Sequence, residues 1–118
     1  MPYFVVTEHK TWQQAKQYCF DRDARLMEFR RPEDLERATE ARQQVSSLLM
    51  WFGGTYVHSE QEGKWNSDGE PVTENWAVGY PVFMSNLQCL GLNENVFLQN
   101  TACYWRYQFA CEVAPRFR

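Results

Sequence analysis

The chain of 118 residues has no long apolar run. None approaches the roughly 20 residues that a helical membrane span needs. It has no basic excess either: 12 Lys and Arg stand against 15 Asp and Glu, for a formal charge of −3. That balance argues against a nucleic-acid partner, which calls for a basic stripe or patch. Histidine is scarce, with only His9 and His58, and none of the four cysteines forms a CxxC pair. A structural zinc site is therefore not expected, and no metal or other cofactor is assigned. Neither histidine has a serine and an acid nearby in a nucleophilic motif. Carboxylate pairs such as Glu60 and Glu62 sit among turn residues, so no enzyme is expected. No Asn-x-Ser/Thr sequon occurs, so solubility does not rest on N-linked glycan. Repeats, low-complexity runs and Gly/Ser linkers are missing too, which predicts one domain over 1–118. Residues 1–8 lack the charged and apolar blocks of a signal peptide. This leaves either a cytosolic protein or a mature domain carrying an added Met1.

The cysteines weigh on that choice. Cys19, Cys89, Cys103 and Cys111 are even in number and widely spaced, which reads as disulfides and a secreted protein rather than four free thiols in the cytosol. Three pairings remain open on spacing alone. Aromatic residues make up 16% of the chain. Most are assigned to the core and a minority to a ligand surface.

Residues 3–7 are apolar and β-branched and predict a strand. Thr11-Trp12-Gln13-Gln14 is a capping box. It opens a helix with Trp12, Ala15 and Cys19 on one face, ending near Asp21–Asp23. Residues 24–29 predict a short strand. Pro32, Glu33 and Asp34 then begin a second helix with Leu35, Ala38, Ala41 and Val45 inward. Arg30, Arg31, Arg37 and Arg42 are interleaved with Glu33, Asp34, Glu36 and Glu40, a pattern that reads as a solvated face rather than an anion site. Leu48 to Phe52 predicts a central strand followed by Gly53-Gly54. Asp68-Gly69 predicts a tight turn. Residues 72–95 read as a long loop, with strands over parts of 87–92 and 96–98 and a last one over 105–113. Two early helices followed by strands give an α+β class.

The ordered residues resemble a C-type lectin-like domain over nearly the whole chain. The marks are Trp12, Ala15 and Cys19, then Ala24-Arg25-Leu26 and Trp51-Phe52-Gly53-Gly54. Glu62-Gly63, Trp65, Ser67-Asp68-Gly69, Pro71-Val72 and Asn75-Trp76-Ala77 follow, and Cys89, Cys103 and Cys111-Glu112 complete the set. The resemblance implies two helices flanking small antiparallel sheets with a long loop region, in the family's short form. It also implies the disulfides Cys19–Cys111 and Cys89–Cys103. Their loops would contribute roughly 4–5 and about 3 kcal/mol on the chain-entropy account.

Many members of that family bind sugar through calcium, which needs several hard oxygen ligands at once. Here the matching triplet is Tyr80-Pro81-Val82, Leu87 stands two before Cys89, and the last triplet is Leu98-Gln99-Asn100. No carboxylate remains at those positions. At a second calcium site Glu62 persists, but His58, Phe83 and Gln88 match its other carboxylates. Sugar binding by the usual calcium geometry is therefore not expected.

Two ligand classes follow. A calcium-independent lectin could use Tyr80 and Trp105 as aromatic faces and Asn86, Gln88, Asn93, Gln99 and Asn100 as amides, suited to a neutral acetamido sugar. For each amide taken alone, a bond to its own turn backbone is the commoner use. The alternative is a protein-binding domain (receptor, inhibitor or oligomer subunit) using the apolar stretch 80–84, which also suits self-association as a homo-oligomer. Glycan binding is favoured by the number of amides.

Overall fold

The computed structural model describes residues 1–113; 114–118 lie outside the described residues. The elements run β1 (Tyr3–Lys10), α1 (Trp12–Phe20), β2 (Ala24–Leu26), α2 (Glu33–Arg42), β3 (Met50–Val57), a 3-10 turn (His58–Glu60), β4 (Glu62–Trp65), β5 (Pro71–Val72), β6 (Cys89–Leu92), β7 (Leu98–Thr101) and β8 (Tyr107–Val113). The class is α+β. The capping box forms, with Thr11 Oγ1 accepting from the Gln14 amide at 3.3 Å and Gln14 Oε1 accepting from the Thr11 amide at 3.1 Å. Trp12, Ala15 and Cys19 are buried, as their helical spacing requires.

Strand β8 pairs antiparallel with β1 and β2 and parallel with β3. Strand β3 then pairs antiparallel with β4 and β6, β6 with β7, and β4 with β5. The small antiparallel sheets expected from the resemblance are thus joined through β3 into one branched, mixed sheet. Gly53 and Gly54 lie inside β3 rather than after it. A Cβ on Gly53 would stand 2.8 Å from the Leu26 carbonyl oxygen, and one on Gly54 2.6 Å from Leu90 Cδ1. Glycine is needed there for close approach of neighbouring strands. The disulfides are Cys19–Cys111 and Cys89–Cys103, the pairing the resemblance implied. The first joins α1 to β8; the second joins β6 to the β7–β8 connection.

Several boundaries move. Strand β2 stops at Leu26, β3 begins at Met50, and β7 covers 98–101 rather than 96–98. Leu48, expected in the central strand, is 76% exposed. On α2, Leu35 is exposed and Val45 lies past the helix end, while the buried positions are Asp34, Ala38, Ala41 and Arg42. The expected solvated arginine face is corrected accordingly: only Arg31 is largely in water. Glu112, 1% exposed, accepts from Arg25 Nε and Arg37 Nη2, each at 2.8 Å. Arg37 also pairs with Asp34, whose Oδ2 accepts from the Arg30 and Arg31 amides at 2.8 Å. Arg30 bonds Glu28, Ser67 and Asp68. Charge that looked interleaved along the chain is paired across the fold, because burial tolerates ions only with partners.

Removing Glu112 would leave Arg25 and Arg37 without their shared buried carboxylate. Glu112→Ala is expected to lower unfolding free energy by about 3–5 kcal/mol, read by urea denaturation; a loss below about 1 kcal/mol would match an exposed pair instead. Glu28 gives a pH signature. Burial raises its pKa above the usual 4.5, outweighing the lowering by Ser67, Arg25 and Arg30. The folded state then holds this proton more tightly than the unfolded chain, so Glu28 makes stability fall as pH rises through and above 4.5. Subtracting the stability profile of Glu28→Gln from that of the parent should reveal this falling component. A flat or rising difference would contradict it.

Candidate functional site

The segment between β5 and β6 lies along β7. The Leu98 amide donates to the Asn75 carbonyl at 2.7 Å and the Ala77 amide to the Leu98 carbonyl at 2.9 Å. The Tyr80–Pro81 peptide is cis. Asn100, expected as a ligand contact, is 3% exposed and faces this segment from β7. Its Oδ1 accepts from the Val82 amide at 2.8 Å, and its Nδ2 donates to the carbonyls of Val82 at 2.8 Å and Leu87 at 3.0 Å. Both halves of the amide are engaged inside the protein, so Asn100 positions the loop.

Gln99 precedes Asn100 on β7, and successive strand side chains point to opposite faces. It lines a groove of about 800 Å³ between the end of α2, the connection 43–49 and the β6–β7 turn. Asn93 lines the same groove, but its Oδ1 accepts from the amides of Asn95 and Phe97 at 2.9 and 3.0 Å. The side-chain oxygen thus shapes the turn. Val96 holds φ at 67° in that turn, an unusual conformation for a β-branched residue. The opposite wall is pinned on two sides. Gln108 Oε1 accepts from the Ser46 and Ser47 amides at 2.6 and 2.9 Å, and Arg42 donates to the carbonyls of Val45, Ser47 and Leu48. Leu48 projects from this wall, flanked by hydroxyls and amides including Thr39 and Gln43.

The other expected residues lie elsewhere. Gln88 lines a separate depression of about 480 Å³ with Gln13, His58 and the Cys89–Cys103 disulfide. Its Nε2 donates to the Ser85 carbonyl at 2.8 Å. Tyr80 is half-buried and Asn86 exposed in the long loop, beside exposed Phe83 and Met84. Trp105 is half exposed in the β7–β8 connection, its ring 5.1 Å from that of Tyr104. The seven residues are therefore distributed among several surfaces. The reading of the sequence put Arg42 on a solvated face and Leu48 in the central strand, and gave Tyr104 no role. Arg42 follows Ala38 by four positions, a spacing that placed it on the inner face; Leu48 gave no such signal.

A family model described as the lectin C-type domain matches residues 8–113. The chain belongs to the C-type lectin family. It is 28% identical over 102 residues to human C-type lectin domain family 1 member B, covering 86% of this chain and 42% of that protein. It is 29% identical over 114 residues to lectin BRA-2 of Megabalanus rosa, covering 94% of this chain and 63% of that one. The chain thus spans less than two-thirds of either relative. The carbohydrate-recognition domain of the mouse scavenger receptor C-type lectin superposes with a TM-score of 0.79 at 27% identity, covering 95% of this chain and 88% of that domain. C-type lectin domains bind glycans or proteins, and are in general binding modules rather than enzymes.

The calcium chemistry associated with this lectin family does not fit the residues present. Tyr80, Val82, Leu87, Gln99 and Asn100 offer no carboxylate, and the Asn100 amide is engaged by Val82 and Leu87. Hard-cation affinity depends on several charged oxygens. Among the described residues no three His, Cys, Asp or Glu side chains form a metal cluster. Asn100→Ala should speed hydrogen exchange at the Val82 amide and leave the β1–β8 amides protected. The expected local loss is about 1–3 kcal/mol, the range for orphaning buried polar groups. Unchanged Val82 exchange would refute the positioning role.

Proposed function

We propose that this C-type lectin domain is a secreted recognition module that binds carbohydrate without the family's calcium ligands. The observation that carries the reading is the groove between α2 and the β6–β7 turn. It sets the amides of Gln43 and Gln99 and the hydroxyl of Thr39 beside the exposed Leu48 side chain. The amides donate and accept, and the Thr39 hydroxyl, which donates to the Leu35 carbonyl at 2.7 Å, accepts, which suits sugar hydroxyls or an acetamide. An apolar side chain among them suits the C–H face of a sugar ring. Asn93 and Asn100 support the surface through the backbone bonds described above, so Gln99 on β7 and exposed Asn95 in the β6–β7 turn are the amides that face the groove. Two disulfides favour an extracellular setting.

A protein ligand is the second reading, favoured by the long loop. Val78 is fully exposed there and Phe83 and Met84 are about half exposed, next to Tyr80 and Asn86. Exposed Met and aromatic residues suit a protein interface, including one with a second copy of the chain. Gln88 and Trp105 would belong to this reading rather than to the groove.

A glycan array probed once with calcium and once with excess EDTA separates the two. Equal binding in both conditions, reduced by Gln99→Ala, is the expected result. Binding lost in EDTA would overturn the calcium-independent reading. The absence of glycan binding in either condition would turn the assignment to a protein ligand at residues 78–84.

A further inference from the structure

We propose that the groove prefers sugars bearing a carboxylate, attracted by the Arg42 guanidinium in its wall. This deepens the groove reading above and rests on it. Arg42 is 7% exposed on the last turn of α2. It differs from the other inward arginines in its partners. Arg25, Arg30 and Arg37 each touch a carboxylate. Arg42 Nη1 donates to the Val45 carbonyl at 3.3 Å, and Nη2 to those of Ser47 and Leu48 at 2.8 and 3.1 Å. These acceptors are neutral, and among the described residues no ion pair includes Arg42. Its Nε, like that of Arg37, is buried with no acceptor, so the distinguishing feature is the lack of a touching carboxylate.

A buried cation hydrogen-bonded only to carbonyls, with no carboxylate in contact, creates a positive potential that nearby water screens poorly. The groove is the open space beside it, where Gln99 could hold sugar hydroxyls and Thr39 Oγ1, which donates to the Leu35 carbonyl at 2.7 Å, could accept from one. Glu94 on the same groove is the acid that acts on Arg42 through space: burial lowers the arginine's pKa, and Glu94 opposes that shift. Glu94 is exposed. It marks where negative charge is favourable, and it would compete with a bound carboxylate. The anion-site reading set aside for four arginines in the sequence thus returns for one of them, and the reason is burial without a carboxylate partner.

Methyl β-D-glucuronide and methyl β-D-glucoside share the ring and differ in the carboxylate. Each would be titrated into the intact, disulfide-bonded chain and followed by NMR at the Gln99 side-chain amide and Arg42 Nε–H. The glucuronide should bind at least about fivefold more tightly at low salt, with the gap narrowing as salt is added. Glu94→Gln removes the competing negative charge from the exposed rim of the groove; it should tighten glucuronide binding by a larger factor than glucoside binding. Equal affinities, or a preference for the glucoside, would overturn the carboxylate preference and leave the groove reading standing. If neither sugar shifts Gln99, the groove reading fails and this proposal with it.

Discussion

Strand β8 is the element on which the rest depends. It pairs with β1, β2 and β3, so three separate stretches of chain find their place through one strand. Three of its side chains reinforce that role. Cys111 ties it to α1, Glu112 gathers Arg25 from β2 and Arg37 from α2, and Gln108 fastens residues 46 and 47. Each contact spans a large distance in sequence. Local propensity alone therefore does not assemble the sheet; its pairings form when the end of the chain meets the beginning.

The same strand prepares the groove. Gln108 accepts from two amides of the 43–49 connection while donating to the Thr7 carbonyl at 3.0 Å. Arg42 holds that connection from the other side. The opposite wall, the β6–β7 turn, is fixed by Asn93 through its own backbone. A wall already ordered before binding loses little further conformational entropy when a ligand arrives, which favours even a small contact area. Gln108 and Asn93, whose side-chain oxygens hold these walls, are distinct from Gln99, which lines the groove.

Much of the architecture was legible in the sequence. The capping box at Thr11 and the helical stripe Trp12–Ala15–Cys19 have local signatures and lie in the expected helix, whereas Gly53-Gly54 lie inside β3 and Glu62–Trp65 forms β4 where turn residues were expected. The inner face of α2 was read wrongly for a specific reason. Asp34, Ala38, Ala41 and Arg42 follow helical spacing, but both ends of that stripe are charged, so a search for apolar periodicity slid to Leu35 and Val45. Glu112 was likewise opaque, because Arg25 and Arg37 stand far away in sequence, and Glu28 was so because Ser67, which bonds both its oxygens, stands 39 residues on. The candidate site was less legible still. Gln99 and Asn100 are adjacent amides with equal claims on paper, and only the alternation of β7 sends one to a groove and the other under a loop. Leu48 belonged to an apolar run and carried no mark of exposure.

The loss of carboxylates near the long loop changes how that loop can be held. A cluster of carboxylates repels itself unless a cation neutralises it, so order in such a loop is coupled to the ion and to pH. An asparagine carries one acceptor and two donors on a neutral group. Here Asn100 matches them to one amide and two carbonyls of the facing segment, with no charge left over. Substituting a carboxylate at that position would remove both donors and set negative charge against two carbonyl oxygens. The neutral amide thus positions the facing segment through hydrogen bonds alone, beneath the exposed Phe83 and Met84 of the same loop.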